Sequence, residues 1–215
     1  MAKLGLDSIE KLRARPGLRI GAQTVGHDIY INGRIFAWLL GLNEPQFVTG
    51  FSGPELDTAM LQGELDGRAN IVDTVLQRNP AFIDQGLMHF HAIIEIPRGE
   101  KHPHPSIGRL PELTTFAKGD KERKVLSMLR AIRLAGSPYI LPPGTPKEQV
   151  SILRQALRKT FKDPAFHSEY KKLTGDEPSP IMAEAQEQAI QELPKDPEII
   201  KTFKVIAGNA PLPPR

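Results

Sequence analysis

The stretch from Arg19 to Gly41 most constrains what this chain can fold into, because it reads as strand, tight turn and helix in immediate succession. Leu18 to Ala22 forms a short strand, Gln23 to His27 a turn of small and polar residues, and Asp28 to Leu40 a helix closed by Gly41. In that helix Ile31, Ile35, Trp38 and Leu39 recur at i, i+4, i+7 and i+8, which sets a broad apolar stripe on one face. The first backbone N–H groups of such a helix lack partners and point into the turn, where the helix dipole favours an anion. Gly26 lets the backbone approach a ligand closely, and Thr24 and His27 add side-chain donors. An ordinary strand–helix connection, its N–H groups capped by Asp28 or by water, fits the same residues.

The flanking residues extend the pattern. Asp7 to Arg15 reads as a short helix with Asp7 as N-cap and Glu10 as its capping-box partner, ended by Pro16-Gly17. Gln46 to Gly50 is a second strand. Ser52, Pro54 and Glu55 then start a helix that buries Leu56, Ala59 and Met60 and stops at Gly63. Gly67 to Val72 is a third strand, Asp73 to Asp84 a helical segment, and Met88 to Ile96 an apolar run suited to a buried strand. Alternating strands and helices predict α/β architecture, a doubly wound parallel sheet occupying residues 7–96. Ligands of such sheets sit beyond the carboxyl ends of the strands, where Gln23–His27, Gly50–Gly53 and Ala69–Asp73 converge.

Beyond Pro97 the chain becomes helix-rich. Arg98 to Pro105 is a charged, proline-broken loop, and two helices are expected between Pro111 and Leu134. Ser137 to Leu141 is a strand candidate. Thr145-Pro-Lys-Glu148 is a helix-start signal with Pro146 in the first position, followed by an apolar stripe of Val150, Leu153, Leu157 and Phe161. Three further helical pieces lead to a loose tail at 209–215. Residues 97–208 thus read as a helix-rich return segment rather than a complete sheet domain.

Function classes narrow by composition. A formal charge of +3, evenly spread and without basic runs interleaved with aromatics, argues against a nucleic-acid partner. With no cysteine, disulfides and thiolate chemistry are excluded. No apolar run approaches a membrane span, and the N-terminus lacks the apolar core of an export signal. Among the six histidines, His89 and His91 alternate on one strand face and His102-Pro-His104 follows; two His-x-His pairs can hold zinc or copper if their segments meet. No acidic or thiol ligand stands at a recognised spacing beside them, and no cofactor is expected. Nucleophile elbows, phosphate loops and dinucleotide fingerprints are absent, so no catalytic residue is assigned. Arg68 and Asn70 share one side of the third strand near its carboxyl end, where an arginine can clamp a carboxylate; pairing of Arg68 with Glu64 or Asp66 is the structural alternative.

Asp7 to Ile96, together with the segment from Pro142-Pro-Gly-Thr-Pro-Lys-Glu to Asp163-Pro-Ala-Phe166, resembles the extracytoplasmic substrate-binding receptors of tripartite tricarboxylate transporters. The Pro-Pro-Gly-x-Pro block is the most specific match, and the Gly21–Gly26 turn, Phe51-Ser-Gly-Pro-Glu and Gly63-Glu-Leu-Asp-Gly-Arg68 follow in the family's order. The resemblance implies a two-lobed, type II periplasmic-binding-protein fold, with one whole lobe here and a helix-rich, incomplete second. It implies a small carboxylate solute held by Ala22, Gln23, Thr24, Val25, Gly26 and His27, with Phe51, Arg68 and Asn70 nearby. Transporter membrane subunits become the implied partners and the periplasm the implied compartment, or the cytoplasm if Met1 is the true start. Family members carry a signal peptide and about a hundred further residues of the first lobe, so self-association through an uncovered lobe surface is a further expectation. The alternatives are a small metal-dependent enzyme using His89, His91, His102 and His104, and a truncated paralogue that binds nothing.

Overall fold

The computed structural model describes residues 2–96, 98–136, 138–174, 178 and 180–215. In chain order its elements are α1 (Ile9–Ala14), β1 (Arg19–Gly21), α2 (Asp28–Leu40), β2 (Gln46–Val48), α3 (Gly53–Gln62), β3 (Gly67–Arg68), α4 (Val72–Arg78), α5 (Ala81–Asp84) and α6 (Pro105–Gly108). They continue with α7 (Asp120–Ala135), α8 (Lys147–Thr160), α9 (Pro164–Thr174), α10 (Ala183–Gln191) and α11 (Pro197–Ala207). Short 3₁₀ turns lie at Ala2–Leu4 and Leu113–Phe116. Two compact units result: one runs through Leu126 and resumes at Pro194–Arg215, and the other is Ser127–Leu193. Among the described residues no helix is long and apolar enough to cross a membrane.

The first unit is α/β, built on a small three-stranded parallel sheet of order β2-β1-β3. Ile20 pairs with Phe47 on one side and with Gly67 on the other, so β1 is central and all three carboxyl ends point the same way. Close packing of β1 depends on its glycine. A Cβ at Gly21 would lie 2.3 Å from Leu65 Cδ1 and 2.7 Å from Leu56 Cδ2. Leu56, Ala59, Met60, Leu65, Val75, Phe82 and Met88 form one buried cluster, and Ala22, Ile29 and Tyr30 form another with Phe47 and Ala69 against it. Arg19 ties β1 to the start of β3 through Asp66, its Nη2 2.9 Å from Oδ1. Burial raises the Asp66 carboxyl, but the Arg19 hydrogen bonds and charge outweigh it and hold the group below its ordinary value.

Local signals are realised closely at two helices. Asp28–Leu40 is α2, and Gly41 closes it at φ 64°. At α3, Ser52 and Glu55 make the capping box, with Ser52 N–H donating to Glu55 Oε2 at 2.6 Å. Elsewhere the expectations need correction. Ser8, not Asp7, caps α1, accepting from Lys11 N–H, while Asp7 pairs with the Lys11 ammonium. The third strand stops at Arg68, because Asn70 Oδ1 accepts from Ile71 N–H at 2.9 Å and turns the chain into α4. Pro80 splits the helix expected over 73–84 into α4 and α5.

Met88 to Ile96 is not a strand. Its one sheet-like contact is an isolated parallel bridge from Ile93 to Glu112, which draws the segment toward the Leu113–Phe116 turn. The sheet is therefore smaller than a doubly wound sheet with a fourth strand. Unit boundaries also differ from a division at 96/97, since residues 98–126 and α11 with its tail belong with the sheet. Nor is the tail loose: Arg34 donates to the Ala210 carbonyl, and Arg215 Nε lies 2.7 Å from Glu122 Oε1.

In the second unit, Arg154–Glu187 and Arg158–Glu184 ion pairs link α8 to α10. Phe161 meets Phe166 edge to face and Phe166 meets Tyr170 at a tilt, with centroids 5.5 and 5.8 Å apart, where α8 passes into α9. Pro146 is the N-cap of α8 rather than its first residue, and Thr145 Oγ1 donates backward to the Pro142 carbonyl instead of capping. Helix α8 buries no side chain fully: in its apolar stripe Leu153 is 45% exposed, and Val150, Leu157 and Phe161 are partly buried. Of the strand expected at 137–141, Ser137 lies outside the described residues. Residues 138–141 form no strand, and Tyr139 and Ile140 are 82% and 83% exposed.

Candidate functional site

The turn between β1 and α2 emerges from the middle of the sheet. Ala22 N–H donates to the Val48 carbonyl and Gly50 N–H to the Gln23 carbonyl, at 2.9 and 2.8 Å, so the ends of β1 and β2 converge. Ala69, just past β3, packs on the Ala22 cluster from the other side. Gly26 takes φ +82°, open to glycine and strained for other residues. Thr24, Val25 and Gly26 are exposed, and among the described residues none donates its backbone N–H to a protein acceptor. That is a small set of donors facing solvent at the amino end of a thirteen-residue helix.

Beside these donors the helix caps itself. Ile29 N–H donates to Asp28 Oδ1 at 2.7 Å and lies 3.3 Å from His27 Nδ1. His27 Nδ1 also stands 2.7 Å from the same Asp28 oxygen. His27 is the N-cap of α2 and Asp28 accepts beside it, while the N–H groups of residues 24–26 meet no protein acceptor among the described residues. Asp28 and the Ala207 carbonyl, 4.0 Å from where a Gly26 Cβ would be, put negative charge beside the donors.

The Ala207 carbonyl belongs to the end of α11, which is fixed by a residue that motif reading passed over. Arg34 is 3% exposed. Its Nε donates to the Ile206 carbonyl at 2.7 Å, and its Nη2 reaches the Val205 and Ala210 carbonyls. The guanidinium lies 4.8 Å from the Phe47 ring centroid and 5.4 Å from that of Tyr30, whose hydroxyl donates to the Gly208 carbonyl. A cation here offsets the negative end of the α11 dipole. Burial pushes the Arg34 guanidinium below its ordinary value, opposed by Tyr30. The signal was present in the sequence: Arg34 is the one charged residue of α2 beyond its first position.

Phe51, Arg68 and Asn70 are built into the protein. Phe51 packs on the Leu56 cluster. Arg68 Nη1 lies 2.7 Å from Asp57 Oδ1, the two side chains being 4% and 7% exposed. The same nitrogen donates to the Gly53 carbonyl, Nη2 to Asn70 Oδ1 and Nε to the Ala69 carbonyl. Burial pushes the Arg68 guanidinium down, and the Asp57 charge opposes it. Its partner is Asp57, not Glu64 or Asp66, and Asn79 Nδ2 holds the other Asp57 oxygen at 2.7 Å. The structure therefore brings Arg68 to the strand end adjacent to the turn, with its donors engaged internally.

The histidines divide likewise. His102 Nε2 is 3.3 Å from Asp73, while its Nδ1 accepts from His104 N–H. His104 Nδ1 caps α6. The rings of His89 and His91 are 6.4 Å apart, and burial drives His91 down to about 4, helped by the His89 charge. Among the described residues, no group of three or more His, Cys, Asp or Glu side chains is placed to hold a metal ion.

No family model, curated protein or solved structure matches this chain.

Proposed function

We propose that this chain is a receptor-like protein that binds a small carboxylated organic solute, in the manner of the tripartite tricarboxylate receptors it resembles. The carrying observation is the unengaged N–H set at Thr24, Val25 and Gly26, at the end of the central parallel strand and the start of α2. On this reading the protein is not an enzyme, works in the periplasm beside transporter membrane subunits, and follows the lobe plan of a type II periplasmic binding protein. Asp28 and the Ala207 carbonyl disfavour an anion at the turn, and the exposed site offers little low-dielectric reinforcement. Affinity is accordingly weak, about millimolar for a single carboxylate site. Calorimetric titration with succinate and citrate tests this. Saturable binding that disappears in Thr24→Glu, which sets a carboxylate on the exposed turn, supports the reading; no heat from either acid, or binding indifferent to Thr24→Glu, refutes it. Tyr139 and Ile140 supply the apolar surface for self-association, which light scattering of a Tyr139→Ser/Ile140→Ser variant measures.

A further inference from the structure

Helix α11 has two working faces. Ile199, Thr202, Phe203 and Ile206 are buried. Pro197, Ile200, Lys201, Lys204, Val205 and Gly208 follow one another at helical spacing on the adjoining flank, where they line a groove of about 570 Å³ completed by Asn209 and Ala210. The groove is shallow and open to solvent, so it suits a slender ligand laid along the helix flank. Its wall is preorganised: the tail at 208–210 is pinned by the buried Arg34 and by the Tyr30 hydroxyl, so the groove does not depend on a free chain end. The polar lining is of one sign. Lys201 and Lys204 are exposed one turn apart, and neither is paired with an acid among the described residues. Arg34 donates to the carbonyls of Val205 and Ile206, which offsets part of the negative charge that the end of α11 would otherwise present to an anion.

We propose that this groove binds an amphiphilic monocarboxylate, its head between Lys201 and Lys204 and its hydrocarbon tail against Pro197, Ile200 and Val205. An apolar floor rimmed by two unpaired ammonium groups has little for a compact, fully polar acid and no donor–acceptor array for a sugar or nucleobase. Short alkyl tails fit the floor, and a single carboxylate satisfies the two lysines. The groove shares no lining residue with the Thr24–Gly26 turn and does not rest on the solute reading given there.

The probes are decanoate below its micelle concentration, decan-1-ol and acetate, measured by calorimetry and saturation-transfer NMR. Decanoate is expected to bind saturably, decanol at least tenfold more weakly, and acetate not at all. Lys201→Gln/Lys204→Gln should weaken decanoate at least tenfold while leaving the Trp38 fluorescence melt unchanged, since both lysines are exposed. Thr24→Glu should leave decanoate binding intact, which separates this site from the turn. Non-saturable uptake, equal affinity for decanol and decanoate, or loss of binding in Thr24→Glu but not in the double lysine variant would each overturn the proposal.

Discussion

Replacing Arg34 by methionine isolates what one buried cation does for the first unit. Methionine keeps the apolar stem but removes every donor, leaving the Ile206 carbonyl with no partner at a fully buried residue. An unsatisfied buried acceptor costs about 1–3 kcal/mol, and loss of the cation over Phe47 and Tyr30 adds about 1–2 kcal/mol. The Ala210 carbonyl is at an exposed residue and can turn to water, so it adds little. Release of the desolvated guanidinium offsets part of the sum, and the net loss comes to about 3 kcal/mol. For a chain of this size each kcal/mol lowers Tm by about 2–4 °C, so a drop of about 6–12 °C is expected. The single tryptophan, Trp38, is 2% exposed in α2 and reports unfolding of this unit alone. Hydrogen exchange provides the second readout: amides of the last turn of α11 and of Gly208, which donates to the Lys204 carbonyl, should lose protection well before those of α2. Arg34→Lys, whose ammonium reaches one carbonyl at most, should fall about midway. A methionine variant that melts within 1 °C of the parent, the end of α11 equally protected, would refute the assignment of Arg34 as the anchor of α11.

Three further outcomes follow from other contacts. Asp57→Ala leaves the buried Arg68 guanidinium without its counter-charge and should cost about 3–5 kcal/mol in urea titration, whereas Glu64→Gln should change stability by less than about 0.5 kcal/mol. Gly21→Ala forces a methyl into Leu65 and Leu56 and should cost about 1–3 kcal/mol by Trp38 melting, with indifference counting against the packing described. His91 titrates near 4 in the folded chain against 6.5 ordinarily, so over that window the unfolded state binds more protons and stability falls as pH drops from 6.5 toward 4. Between pH 7 and 5, discounted for partial exposure, the loss is about 1 kcal/mol, and His91→Gln should remove it from urea titrations at those two values.

What the sequence determined by itself was local. The bounds of α2, the αL glycine that closes it and the Ser52–Glu55 box at α3 all depend on groups within a turn of one another, so residue type and spacing suffice. The parallel sense of the first three strands was also legible, because short strands joined through helices leave little other topology. Tertiary structure decided where local signals were ambiguous or absent. An apolar run such as Met88–Ile96 becomes a strand only if a neighbour offers a ladder, and β3 had already turned away at Asn70. The sequence set Arg68 against Glu64 or Asp66, and the fold chose Asp57, across the gap between α3 and β3, over those nearer acids. At the candidate site the turn residues could be read from the chain. Whether their N–H groups stayed unengaged could not, because that depends on Asp28 folding back and on α11 arriving from far along the sequence. The same holds for Arg34: its position in an apolar helix marks it as unusual, but its acceptors lie more than 170 residues away and exist only once α11 has docked.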